Sequence, residues 1–127
     1  MLDTAAFTLA KEERVSSKRL IDELFTGNNS RSLVAFPIRL VYMQVENDHP
    51  QAQILVSVSK RYFKKAVKRN RVKRQIREAY RKNKHLLPKQ CGKCFVMAFI
   101  WLDDHLRSSE VVERKVVKLL QGLSERR

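Results

Sequence analysis

Cysteine, glycine and proline are scarce in this 127-residue chain, which holds two, three and three of them. Two cysteines cannot form the disulfide framework of a small secreted domain, so stability has to come from a packed core. Cys91 and Cys94 form a single C-x-x-C. Tetrahedral zinc needs two further ligands, and His85 and His105 are the only histidines nearby. A thioredoxin-type redox pair sits at a helix N-terminus, whereas this one precedes an apolar run, so an ordinary loop pair is expected. No glycine-rich phosphate loop, Ser/His/Asp set or helical H-x-x-x-H pair is present. Asp103-Asp104-His105 is the one cluster with the composition of a metal nuclease site. Its residues are consecutive at the end of an apolar strand, where they are not expected to point one way, and they read as a polar turn. No apolar run approaches the roughly 20 residues of a membrane span. The first residues, MLDTAAFTLAKEER, lack a signal-peptide core. A cytoplasmic protein is the expectation.

Acidic residues are scarce too, but only locally. The formal net charge is +14, and hydrophobic residues make up 43%, too many for a disordered polycation. Residues 60–84 hold thirteen Lys/Arg and the single acid Glu78, a net of +12; the rest of the chain nets +2. The chain reads as one near-neutral domain, residues 1–127, carrying one basic device, and the device implies a polyanionic partner.

Hydrophobic periodicity gives the elements around it. Ser16 or Ser17 can cap a short helix through Leu20, Ile21, Leu24 and Phe25, which Gly27-Asn28-Asn29 stops. Residues 33–46 are rich in β-branched and aromatic residues, with Pro37 marking an edge strand or bulge. Asn47 to Pro50 reads as a turn. Residues 52–59 form a second strand with Ile54, Val56 and Val58 on one face. A basic helix follows, ending before Pro88. FVMAFIWL, residues 95–102, suits a buried strand, and Trp101 within it suits the core. Residues 109–123 place Val112, Val116, Leu119, Leu120 and Leu123 at helical spacing. The order α-β-β-α-β-α, open to one extra short strand, predicts an α+β fold built as a two-layer α/β sandwich.

On the basic helix, Val72, Ile76, Ala79 and Tyr80 share one arc, while Asn70, Lys73, Arg74, Arg77 and Arg81 share the next. Nine basic–basic pairs at i+3 or i+4 fall within residues 64–81. At about 0.2–0.5 kcal/mol each they add roughly 2–4 kcal/mol of repulsion, which phosphate would turn into attraction. A solvated cationic face is the plain alternative. Asn70 counts against it, because Asn is a poor interior helix residue. An amide offers donor and acceptor together, which suits a base edge or a ribose, and the flanking Arg forks suit phosphate. Chemistry alone does not choose RNA over DNA.

VSVSKR at 56–61 followed by AVKRNRVKRQIREAYR at 66–81 resembles the signature of the protein subunit of bacterial ribonuclease P, V-S-K-K then A-V-x-R-N-R-x-K-R-x-x-R-E. FTLAKEERVSSKRLIDELF at 7–25 also resembles that family's opening, and together these stretches cover about half the chain. One departure stands out: the family usually has a Gly in the link where this chain has Tyr62-Phe63-Lys64-Lys65.

The resemblance implies an accessory subunit of a ribozyme endoribonuclease. In that family an RNA cuts the 5′ leader from precursor tRNA using Mg²⁺, held mainly by RNA and substrate. The protein binds the catalytic RNA and holds the single-stranded leader in a cleft between the basic helix and the sheet. No protein catalytic residue, protein-held metal, membrane or obligate protein partner is expected. The implied fold has a mixed sheet and an unusual left-handed β-α-β crossover through the basic helix, against the general right-handed rule. By residue match, Lys60, Arg61, Lys68, Arg69, Asn70, Arg71, Lys73, Arg74, Arg77 and Arg81 inherit RNA contact. Phe7, Arg14 and Phe25 match the N-terminal pattern, and the resemblance makes them leader-binding candidates. Phe7 and Phe25 are candidates for stacking on the leader, each with core burial as the alternative. Tyr42 is a further cleft candidate with the same alternative.

Overall fold

The computed structural model describes residues 18–26, 30–46, 52–87 and 93–125. In chain order they form α1 (Lys18–Thr26), β1 (Arg31–Ala35), β2 (Ile38–Glu46), β3 (Gln53–Ser57), α2 (Ala66–Asn83), a 3-10 turn (Lys84–Leu86), β4 (Lys93–Trp101) and α3 (Ser109–Glu125). The class is mixed α+β, as expected. Ser16, Ser17, the 47–50 turn and Cys91 lie outside the described residues; Cys94 falls in β4, opposite Val45.

The long strand expected over 33–46 is two strands. Pro37 has no N–H to give a ladder, so pairing stops there and the chain doubles back. β1 and β2 are antiparallel with Ala35 opposite Ile38, and the Phe36–Pro37 peptide joining them is cis. The N–H of Leu102 donates to the Pro37 carbonyl at 2.8 Å, tying this turn to the end of β4. The hairpin supplies the extra short strand that the expected order left open.

The sheet order is β1-β2-β4-β3. β2 pairs antiparallel with β4, and β3 pairs parallel with β4. A parallel pair needs a crossover, and α2 lies within it. β4 has a strand on each side, and Phe95, Val96, Met97, Ala98, Phe99 and Trp101 are buried. That position explains its unbroken apolar run.

Strand alternation divides the buried residues into two cores. Ile38, Leu40 and Tyr42 of β2, with Phe95, Met97, Phe99 and Trp101 of β4, join Ile54 and Val56 against α2 and α3. α3 contributes Val112, Val116, Leu119, Leu120 and Leu123, the five positions its periodicity picked out. Val41, Met43, Val96 and Ala98 point to the other face and meet Leu24 of α1. The main core is a two-layer sandwich, and α1 adds a short cover on the second face.

Polar contacts fix α2 against α3. The Gln75 amide donates to the Arg107 carbonyl at 2.9 Å and to Ser109 Oγ at 3.2 Å. The Asn83 amide donates to the Glu113 carboxylate at 3.0 Å. Ser108 Oγ accepts from the Val111 N–H at 3.3 Å and so caps α3.

Candidate nucleic-acid interface

α2 forms because its apolar residues keep helical spacing and because the sheet gives them somewhere to go. Its buried residues are Val72, Ile76, Ala79 and Tyr80, the arc read from the sequence. Tyr80 packs its ring 6.1 Å from that of Phe99, centroid to centroid. Burying Val72, Ile76 and Tyr80 contributes roughly 5 kcal/mol or more, at about 1.5–3 kcal/mol per large side chain. That outweighs the roughly 2–4 kcal/mol of like-charge repulsion on the outer face. The helix can therefore hold its charge without a partner, and the charge remains available to one.

The sequence-selected cations do not all stand alike. Lys60, Arg61, Lys68, Asn70, Arg71, Arg74 and Arg77 are exposed, while Arg69, Lys73 and Arg81 are half-buried. Arg81 pairs with Glu78, and Lys82 reaches the same carboxylate at 3.9 Å. The hydrogen bond from Arg81 holds the Glu78 carboxyl below its ordinary value against the opposing effect of burial. Arg81 is thus partly spent within the helix. Lys68, Arg71, Lys73 and Arg74 pair with no carboxylate among the described residues. The Asn70 amide makes no hydrogen bond to a described residue, so neither capping nor helix-to-helix contact explains it.

Arg69, the first residue of Arg-Asn-Arg, turns back on the chain. Its Nη1 donates to the carbonyls of Phe63 and Lys64, both at 2.8 Å. The link before α2 needs no glycine. Ser59 O accepts from the N–H groups of Tyr62 at 3.1 Å and Phe63 at 3.3 Å. Ser59 Oγ accepts from the Arg61 N–H at 3.0 Å. No described non-glycine residue has positive φ. Phe63, 4% exposed, anchors the link in the core. Tyr62 lies under the Arg61 guanidinium, 5.9 Å from it.

The space between α2 and the sheet is filled by the core side chains just described, which corrects the expectation of a cleft there. An open depression of about 330 Å³ lies on the other face, lined by Leu24, Phe25, Ser30, Arg31, Ser32, Arg39, Val41 and Ile100. α1 is too short to cover that face, and Phe25 is left 48% exposed at its end. Of the two readings of Phe25, the structure takes the exposed one. Val34, 60% exposed, stands directly opposite Arg39 and extends the same face. Tyr42 takes its burial alternative: it is 8% exposed on the α2 side of the sheet and meets Phe95 edge-on, with ring centroids 6.3 Å apart. Its ring is no stacking platform, and it leaves the set of leader candidates. Phe7 and Arg14 lie outside the described residues.

Arg31 and Arg39 were missed by the sequence reading. Arg39 carried a usable signal. Strand alternation sets it opposite in direction to Ile38 and Leu40, so a cation inside an apolar strand had to face solvent.

Asp103, Asp104 and His105 do converge, contrary to the expectation that they point apart. Their ligand atoms lie within 4.8 Å of one another, because the chain bends directly after β4. His105 Nδ1 is 3.3 Å from Asp103 and 2.7 Å from Asp104. Asp103 is buried, however, and already accepts from Arg107 Nε at 3.0 Å and Nη2 at 2.6 Å. Burial alone would raise its pKa; the hydrogen bonds from Arg107 and His105 outweigh that and hold it low. The inner carboxylate thus neutralises an arginine through Oδ2, which lowers the charge the set offers to a cation.

Known proteins resemble this chain along most of its length. The family model for Ribonuclease P matches residues 9–123. The ribonuclease P protein component of Porphyromonas gingivalis is 40% identical over 125 residues, covering 94% of this chain and 89% of that one. The component from Chlorobium phaeobacteroides is 36% identical over 90 residues, covering 68% and 60%. The solved ribonuclease P protein of Thermotoga maritima superposes with a TM-score of 0.70 at 23% identity, covering 87% of this chain and 96% of that one. The Staphylococcus aureus protein gives 0.51 at 18%, covering 92% and 90%.

Proposed function

Since the chain belongs to the ribonuclease P protein family and is a protein component of the enzyme that processes the 5′ end of tRNA, we propose that its two open faces divide the work of holding RNA. The exposed side of α2, with Lys68, Asn70, Arg71, Lys73, Arg74 and Arg77, takes the catalytic RNA. Lys60 and Arg61 extend that contact from the preceding turn. The depression beside α1 takes the single-stranded 5′ leader of precursor tRNA. Phe25 offers a ring face there, and Arg31 and Arg39 offer charge to the backbone. A ring flanked by cations is the general equipment for single strands.

The RNA subunit carries the bond-breaking step in this reading, and the complex works in the cytoplasm. Mg²⁺ is held by RNA and substrate, since the buried member of the one convergent carboxylate–histidine set among the described residues, Asp103, is already paired with Arg107. The protein's own contribution is position and charge. It neutralises phosphates that would otherwise repel one another where leader, tRNA and catalytic RNA meet. No helix among the described residues is long and apolar enough to cross a membrane.

The observation that carries the proposal is the unspent polar face of α2, where the side chains of Asn70, Lys68, Arg71, Lys73 and Arg74 have no hydrogen-bond or ion-pair partner among the described residues. The test of the leader groove compares precursor and mature tRNA binding to the RNA–protein complex. Replacing Phe25 with Ala should weaken precursor binding by the worth of one stacked base, about 1–3 kcal/mol. Mature tRNA should bind as before. Equal loss for both substrates would remove the leader from this groove.

A further inference from the structure

Arg69 stands in the middle of the cationic surface but does not face outward like its neighbours. Its Nη1 gives both hydrogens to backbone carbonyls, those of Phe63 and Lys64. α2 begins without a side-chain cap, and no acidic residue lies in its first turn. The brace from Arg69 is thus the side-chain link that joins the helix to the turn before it. On the far side of that brace, Ser59 O closes the turn by accepting from Tyr62 and Phe63, and Lys60 and Arg61 stand exposed on it. Phe63 fixes the chain to the core at one point; Arg69 fixes its direction.

We propose that Arg69 is a positioning residue: it holds the 59–65 turn so that Lys60 and Arg61 meet RNA phosphates together with Arg71 and Arg74. This rests on the reading of α2 as the RNA-binding face. It separates the two arginines of Arg-Asn-Arg, which sequence alone treats as equals. Arg71 acts through its own charge, and Arg69 acts through the charges of residues eight and nine positions earlier.

The physical reason is geometric. Arginine places a planar fork at the end of a long stem, and one nitrogen of that fork can serve two acceptors at once. Lysine carries the same charge but ends one bond short, so it cannot reproduce the brace. A surface turn with two flexible cations would otherwise sample many directions, and ordering it on binding would cost affinity.

The test has two parts. In the free protein, amide exchange of Tyr62 and Phe63 should speed up in Arg69→Ala and in Arg69→Lys, and stay as in wild type in Arg71→Ala. In the second part, affinity for a ribonuclease P RNA transcript is measured across salt for Arg69→Ala, for Lys60→Ala with Arg61→Ala, and for all three together. The salt slope of Arg69→Ala should fall by more than the one contact, about 0.7–0.9, that a single phosphate contributes. The triple variant should bind within about twofold of Arg69→Ala, because the two cations are already misplaced; independent sites would instead add. Arg69→Lys should lose affinity where Arg71→Lys keeps it, which also covers failure of the alanine variant to fold. Unchanged exchange of the turn amides, or additive losses, would overturn the positioning role. If neither Arg71→Ala nor the Lys60/Arg61 pair weakened RNA binding, the underlying interface reading would fail instead.

Discussion

Asn70 and Asp103 show how differently two polar residues can be used in one small protein. Asn70 occupies a helical position that suits it poorly, and its amide has no bond to a described residue. Asp103 is buried and fully used, locking Arg107 while Arg107 also lies 5.9 Å from the Phe36 ring. The contrast was half legible. The amide between two arginines stood out in the sequence as a residue that the helix itself does not require. Nothing in the sequence paired Asp103 with Arg107, because the pairing depends on how the chain bends after β4. Asp103 is held below its ordinary pKa in the fold, so it stabilises the protein above the unfolded value, near 3.8, and that contribution fades as pH falls through the lower folded value. Asp103→Asn should therefore lower the melting temperature at pH 7 by the equivalent of about 1.5–3 kcal/mol, the range for a hydrogen bond to a charged group. The gap from wild type should close below about pH 4. An equal gap at pH 7 and pH 3 in thermal melts would contradict this.

At the scale of elements, α2 is one helix with two obligations, and its two faces should separate cleanly in experiment. Ile76→Ala removes a wholly buried side chain beneath the sheet-facing arc. It should cost about 2–5 kcal/mol of stability. Arg74→Ala removes an exposed cation and should leave the melt within about 0.5 kcal/mol, while weakening RNA binding. Circular-dichroism melts and a filter-binding titration check the pair. A destabilised Arg74 variant with normal RNA affinity would reverse the face assignment. The buried arcs of α2 and α3 were readable because 3.6-residue periodicity is a local property. The split of β1 from β2 at Pro37 was only partly so: proline announces that the ladder stops, not whether the chain bulges or reverses. Phe25 was harder still. It continues the α1 stripe, and only the shortness of that helix against a wide sheet leaves it in solvent.

For the whole molecule, the sheet separates the two surfaces proposed to hold RNA. The basic helix lies over one face and the open depression over the other. Sequence reading placed charge correctly, whereas the cleft expected beside α2 is filled by core side chains and the open depression lies on the other face, because charge is a property of residues and a cleft is what packing leaves over. Side chains of α2 fill the near face; α1 covers only part of the far one. A protein so arranged can touch two RNAs at once, with the core between them serving as a spacer of fixed thickness. Its effect should then be greatest where phosphate repulsion is least screened. The most direct measurement is cleavage of precursor tRNA by the ribonuclease P RNA at low Mg²⁺, with and without this protein. Cleavage at the mature 5′ end should rise when the protein is added, and the gain should shrink as Mg²⁺ is raised. No stimulation at any Mg²⁺ concentration, or cleavage by the protein freed of RNA, would contradict the account.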